Sequence, residues 1–221
     1  MNSGFKKIAG VDDAGRGSII GPLLIGGVLV DEQGLIDLSK IGVKDSKILT
    51  PNNRARLYSK IKEIAIKIEF SVVAPDLIDS YVLKGQKYKR LNYLEAIVMA
   101  KVVNALDPNI VYVDSSDVNP NRFRDDINSN LNRKIEIISS HYADRLFPVV
   151  SAASIVAKCE RDSEILKLGE KHGDLGSGYP ADPKTIDFLK TWVSEHGSKP
   201  SFSRKSWKTW DKIISKNLDD F

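Results

Sequence analysis

One cysteine, Cys159, and three histidines without a close pair (His141, His172 and His196) leave this 221-residue chain no internal disulfide and no Cys/His zinc site. Long apolar runs are missing too. The longest, Ile19 to Val30, is interrupted by Gly21-Pro22 and falls short of the ~18–20 residues that span a bilayer. Neither a secretory signal pattern, an internal repeat nor a low-complexity segment is present. The expectation is a soluble, cytoplasmic protein with no membrane contact. Any metal it binds must be held by carboxylates, which suit magnesium, manganese or calcium.

Apolar residues make up 42% of the chain and charged ones 28%, as in an ordinary globular domain. The net charge of +4 is unevenly spread. Between Gly197 and Asn217 lie Lys199, Arg204, Lys205, Lys208, Lys212 and Lys216 against Asp211 alone. Lys84, Lys87, Lys89 and Arg90 form a second cluster. Such patches suit a polyanion, although solvated lysine-rich faces give the same pattern.

Hydrophobic periodicity predicts strands at residues 7–13, 20–30, 69–74, 109–114 and 134–139. Helices are expected at about 51–67, 91–105, 120–131, 149–168, 183–193 and 205–217, with Thr50-Pro51 and Asp182-Pro183 as start signals. Three strands come first and strands then alternate with helices, which predicts an α/β fold with a mixed sheet. Residues 173–183 and 197–203 read as the flexible points. A catalytic domain over 1–195 with a basic helical extension over 196–221 packed on it is the expected division.

Asp12-Asp13 ends an apolar strand and opens into Ala14-Gly15-Arg16-Gly17. Neighbouring strand residues face opposite ways, so both acids serve one site only if the chain bends just after Asp12. Gly15 and Gly17 permit a bend and a close ligand, and Arg16 offers donors to a phosphate. The plain alternative is a polar turn. Asp114 ends the apolar run 109–114, where α/β sheets commonly present ligands, or else it is a turn or cap residue. Asp117 suits a cap. Asp144 precedes a helix of small residues that can pack closely on a sheet, and by itself it also reads as a surface aspartate. Four convergent carboxylates repel unless cations neutralise them. In a basic chain they suit a two-metal phosphodiesterase site.

Taken together, these blocks resemble ribonuclease HII, the type 2 ribonucleases H, in the short form found in archaea. The match runs in order through Asp12–Gly17, Lys44-Asp45-Ser46-Lys47, Val113-Asp114, Asp144 through Lys158, and Gly176-Ser177-Gly178-Tyr179-Pro180. Arg204-Lys205-Ser206-Trp207-Lys208-Thr209 resembles the family's C-terminal block. The resemblance implies a ribonuclease H-like fold, a five-stranded mixed sheet flanked by helices, with a helical C-terminal region. It implies two-metal hydrolysis of RNA in RNA/DNA hybrids, and cleavage 5′ of ribonucleotides embedded in duplex DNA, leaving 5′-phosphate and 3′-hydroxyl ends. Ribonucleotide excision in DNA replication and repair is the implied setting.

By the same resemblance Asp12, Asp13, Asp114 and Asp144 are the metal-binding catalytic acids for Mg2+ or Mn2+. Gly15, Arg16 and Gly17 read the 2′-hydroxyl, Tyr179 packs beside the junction, and Lys47, Ser151 and Ser154 contact phosphate or support those that do. Trp207 is a packing anchor or a nucleic-acid contact. A monomer is expected, and a contact with a replication clamp stays open. One residue departs from the family: glutamate usually stands where this chain has Asp13. The shorter arm then reaches a metal through water, with weaker cleavage of single ribonucleotides as the consequence. A binding module that has lost catalysis is the alternative from another class, and retention of the acids argues against it.

Overall fold

The computed structural model describes residues 6–43, 50–84 and 90–216. Among them the strands are β1 (Ile8–Ala14), β2 (Leu23–Val30), β3 (Lys67–Val73), β4 (Ile110–Asp114) and β5 (Glu136–Ser140). The helices are α1 (Glu32–Lys40), α2 (Pro51–Ile64), α3 (Pro75–Lys84), α4 (Leu91–Leu106), α5 (Pro120–Asn128), α6 (Ala143–Leu146), α7 (Pro148–His172), α8 (Pro183–His196) and α9 (Thr209–Lys216). Contacts group the chain into two compact units. One comprises Met1–Ala14, Leu24–Ser71 and Asn92–Glu160; the other comprises Gly15–Leu23, Val72–Leu91 and Arg161–Phe221. The division expected at residue 195 falls inside the second unit.

The sheet order is β3-β2-β1-β4-β5, the five-stranded mixed sheet expected. β1 runs antiparallel to β2 and parallel to β4, and β4 runs parallel to β5. Glycines set how closely helices approach it. A Cβ on Gly10 would lie 2.3 Å from the Val149 carbonyl oxygen, and one on Gly26 would lie 2.8 Å from the Ala157 nitrogen, so the backbone of α7 rests on the strands. A Cβ on the next residue, Gly27, would instead meet Val102 and Leu106 of α4, at 2.6 and 2.8 Å. Adjacent strand residues face opposite sides, so α7 covers one face and α4 the other. Val28, Val30, Leu57, Ile61, Ile110, Val149 and Val156 belong to the core on the α7 side.

Helix starts follow the capping chemistry. Thr50 accepts from the Asn53 N–H, and Asp182 from the Lys184 N–H, each followed by proline at the first helical position. The unpredicted α1 is capped in the same way, Asp31 accepting from the Gly34 N–H at 2.8 Å.

The second unit has its own core, in which Ile19, Ile20, Leu175 and Leu189 surround Trp210 and Ile213. Two expectations change here. α9 begins at Thr209, not Lys205: the Trp207 N–H closes a tight turn onto the Arg204 carbonyl at 3.3 Å, and Asp79 fastens that segment by accepting the N–H groups of Lys205 and Ser206 at 2.8 and 3.0 Å. Residues 173–183 are not loose. Ser177 N–H donates to Asp182, Gly178 N–H to Thr185, and Gly178 O accepts from the N–H groups of Ile19 and Ile20.

Candidate active site

The parallel register of β1 and β4 ends at Val11↔Val113, so the next residue on each strand is an aspartate. Asp12 and Asp114 therefore leave adjacent strands side by side at their carboxyl ends, the edge at which α/β sheets present ligands. Asp12 is two residues beyond Gly10, and alternation turns both toward α7. The chain does not bend after Asp12 as expected: pairing with β2 continues to Ala14↔Leu24, and the turn starts at Gly15, with φ +82°. Asp13 is still close enough for its charge to raise the Asp12 pKa, so the bend is not what brings the two acids into range. Asp13 accordingly takes a different neighbour. Its carboxylate accepts from the Ser116 hydroxyl at 3.4 Å, beyond the end of β4.

Asp114 Oδ1 accepts the Ala143 N–H at 2.9 Å. This bond fastens the start of α6, whose next residue is Asp144, 2% exposed. Tyr142 turns the chain into α6 with a left-handed backbone, φ +57°, a conformation that costs a non-glycine residue about 1–3 kcal/mol. The Ser151 hydroxyl of α7 donates to the Asp144 carbonyl.

Burial pushes the Asp12 carboxyl well above the usual carboxylate range, and the charges of Asp13 and Asp114 push it further. Nearby Ser154 and the Asp13 N–H, which donates at 2.8 Å, oppose this only in part. Among the described residues, no three His, Cys, Asp or Glu side chains form a ready metal cage. The donor set still fits a hard cation, because every acid is an oxygen donor and Asp12 is strained by like charge. Magnesium commonly takes one or two carboxylates and completes its shell with water and substrate phosphate, so a closed cage is not required.

In the second unit, Gly15, Arg16 and Gly17 form a turn held from its carbonyl side. Arg204 donates to the carbonyls of Gly15 at 2.6 Å, Arg16 at 2.7 Å and Gly21 at 3.3 Å. Ser18 Oγ also donates to Gly15 O, at 2.8 Å. Across a trans peptide the N–H points opposite to the carbonyl, so the N–H groups of Arg16 and Gly17 face away from Arg204. Gly17 is exposed, with open space where a Cβ would stand. Tyr179 is half-buried, its ring 4.5 Å from the Arg161 guanidinium carbon. A groove of about 480 Å³ lies next to it in sequence, at Pro180, with Lys190, Lys208 and Lys212 around Ile186 and Ile213.

A model of the family Ribonuclease HII matches residues 9–210. A ribonuclease HII from Pyrococcus furiosus is 46% identical over 94% of this chain and 91% of its own. The chain belongs to the ribonuclease HII family. A solved ribonuclease H2 from Pyrococcus horikoshii superposes with a TM-score of 0.86 at 42% identity, covering 95% of this chain and 98% of that one. A ribonuclease HII from Archaeoglobus fulgidus, solved in complex with PCNA, gives 0.86 at 39% identity, covering 97% and 100%. The fold is thus ribonuclease H-like, and the chain is a nuclease and a hydrolase.

Within this ribonuclease HII scaffold the first unit holds Asp12, Asp13, Asp114 and Asp144, and the second holds Gly15, Arg16, Gly17 and Tyr179. Lys47 lies outside the described residues. Ser151 and Ser154, expected near phosphate, are 0% and 1% exposed, which places them behind the acids rather than on an open surface. Asp117 is a cap. Burial raises its pKa, but Arg122, Asn92 and the Asn119 N–H outweigh that and hold it below the usual range. Sequence reasoning missed two residues. Arg204, counted in the basic patch, is 0% exposed, and Arg161 is 4% exposed. Trp207 lies 5.0 Å beneath the Arg204 guanidinium and packs on the Trp210 core, so it is an anchor.

Proposed function

We propose that this chain hydrolyses the RNA strand of RNA/DNA hybrids and cuts 5′ of ribonucleotides embedded in duplex DNA, leaving 5′-phosphate and 3′-hydroxyl ends. The observation that carries this reading is the pair Asp12 and Asp114 on adjacent parallel strand ends, with Asp12 buried under the repulsion of Asp13 and Asp114. Asp12, Asp13, Asp114 and Asp144 would hold two Mg2+ or Mn2+ ions, which supply an activated water and charge stabilisation at the leaving oxygen. Asp114 also fixes Asp144 by holding the Ala143 N–H, so its carboxylate both binds and positions.

The N–H groups of Arg16 and Gly17 are presented as donors to a 2′-hydroxyl, the group that distinguishes RNA from DNA. Tyr179 offers a half-exposed ring to the neighbouring sugar. Lys190, Lys208 and Lys212 attract the backbone phosphates. The Archaeoglobus relative solved with PCNA supports a replication clamp as partner.

The test is cleavage of a uniform hybrid and of a duplex with one embedded ribonucleotide, with Mg2+ and Mn2+ supplied separately. Both should be cut by the wild type, and Asp114→Asn should cut neither. Magnesium-dependent cleavage that survives in Asp114→Asn sinks the metal site. Binding of hybrids without cleavage by the wild type favours a binding module instead.

A further inference from the structure

Arg161 lies on α7 in the second unit, and nearly all of it is buried. Its Nη2 donates to the Ser177 carbonyl at 2.7 Å, and Asp162 stands 3.9 Å from Nη1, at the limit of an ion pair. Its Nε is buried with no hydrogen-bond partner among the described residues. A buried charge held by so few partners is a weak source of stability.

Its surroundings point to a different role. A Cβ on Gly15 would lie 2.9 Å from Arg161 Nε, and a Cβ on Gly178 would lie 2.9 Å from Nη2. Both glycines have left-handed backbones, φ +82° and +79°. The guanidinium is therefore wedged between the turn that carries Arg16 and the loop that carries Tyr179, with the Tyr179 ring stacked over it at 4.5 Å. The Gly178 carbonyl, which accepts from Ile19 at 2.8 Å and Ile20 at 3.1 Å, ties the same two segments at a second point.

We propose that Arg161 is a positioning residue that locks the Tyr179 ring and the Gly15–Gly17 turn into one register, and so sets the preference for a single ribonucleotide over a continuous hybrid. This rests on the reading that Tyr179 and the turn recognise the RNA–DNA junction. A planar guanidinium can stack beneath a ring and fill a slot between two backbones, whereas the lysine ammonium is a point charge that does neither. On a continuous hybrid many equivalent phosphates lie in reach of the acids, and a displaced ring costs little. A lone ribonucleotide gives one productive register, and the ring must be in place to select it.

The experiment is a double-mutant cycle. Arg161→Lys, Tyr179→Ala and the double variant are compared with wild type for kcat and KM on both substrates. Arg161→Lys should lower kcat/KM on the single-ribonucleotide duplex at least about tenfold more than on the hybrid, and the double variant should be no worse than Tyr179→Ala to within about threefold. An unchanged ratio between substrates in Arg161→Lys, or losses that multiply in the double variant, overturns the proposal. If Tyr179→Ala itself leaves the ratio unchanged, the junction reading fails and the proposal falls with it. Should Arg161→Lys not fold, Arg161→Met removes the buried charge, keeps the apolar stem, and carries the same comparison.

Discussion

Asp12 shows how a carboxylate proposed for catalysis opposes the fold that carries it. Its folded pKa is raised by burial first and by Asp13 and Asp114 next. A raised carboxyl pKa means that the folded state holds its proton more tightly. Stability is therefore present below the ordinary aspartate value of about 3.9 and is lost as pH climbs from there through the folded value. Asp12→Asn should abolish cleavage, by at least about 10³-fold or roughly 4 kcal/mol of transition-state stabilisation. In metal-free buffer near neutral pH the same variant should melt above the wild type, with a gap that narrows toward pH ~4. Magnesium should raise the wild-type midpoint more than the variant's. A variant that melts below wild type without metal would contradict the repulsion argument. Asp13 is the complementary case, since its arm is one methylene shorter than the family's glutamate. Asp13→Glu should raise the rate on a single-ribonucleotide duplex and shift the balance between Mg2+ and Mn2+; an unchanged rate and metal dependence removes the concern.

At the level of elements, the strand ends determine where the acids meet and α7 determines how tightly they are backed. Gly10 lets the start of α7 come within contact of β1, two residues before Asp12. Gly10→Ala should destabilise the protein by about 1–3 kcal/mol or more through overpacking, read as a lower urea midpoint, with cleavage falling alongside. Full stability in that variant would mean that helix and strand separate freely. The same elements show what a sequence discloses. The strands were legible because short, β-branched apolar runs are a local signal, and Asp114 was legible because it ends such a run. α1 was not, although Asp31 caps it, because Gly34 sits inside it and weakens the helical pattern. α3 begins at Pro75 and was hidden by its short length. The start of α9 was unreadable for a different reason. Asp79, about 125 residues earlier, fastens the segment before α9 through the Lys205 and Ser206 N–H groups, a contact that no local pattern announces. Arg204 was misread because an arginine in a basic stretch looks solvated until the fold supplies carbonyls to surround it, and Arg161 carried no local signal at all.

Across the whole molecule, basic charge is placed where function and structure both draw on it. The sequence pI of about 9.0 overstates the surface available to a polyanion, because Arg161 and Arg204 are enclosed. Lys190, Lys208 and Lys212 line the groove around Ile186 and Ile213 and are the proposed phosphate contacts. Lys208→Ala with Lys212→Ala should weaken hybrid binding and reduce the slope of log K against log salt by about 1–2, with kcat nearly unchanged. An unaltered slope would place the phosphate track elsewhere.

Arg204 has a consequence for how this nuclease can change. It fastens residues 15, 16 and 21 through their peptide oxygens alone. Such a fastening acts on the backbone and does not itself depend on the side chain at position 16. Positions 15 and 178 have no such latitude, because a Cβ at either one would press on Arg161. The turn and the loop are thus held most strictly at Gly15 and Gly178, where any side chain would displace the guanidinium between them.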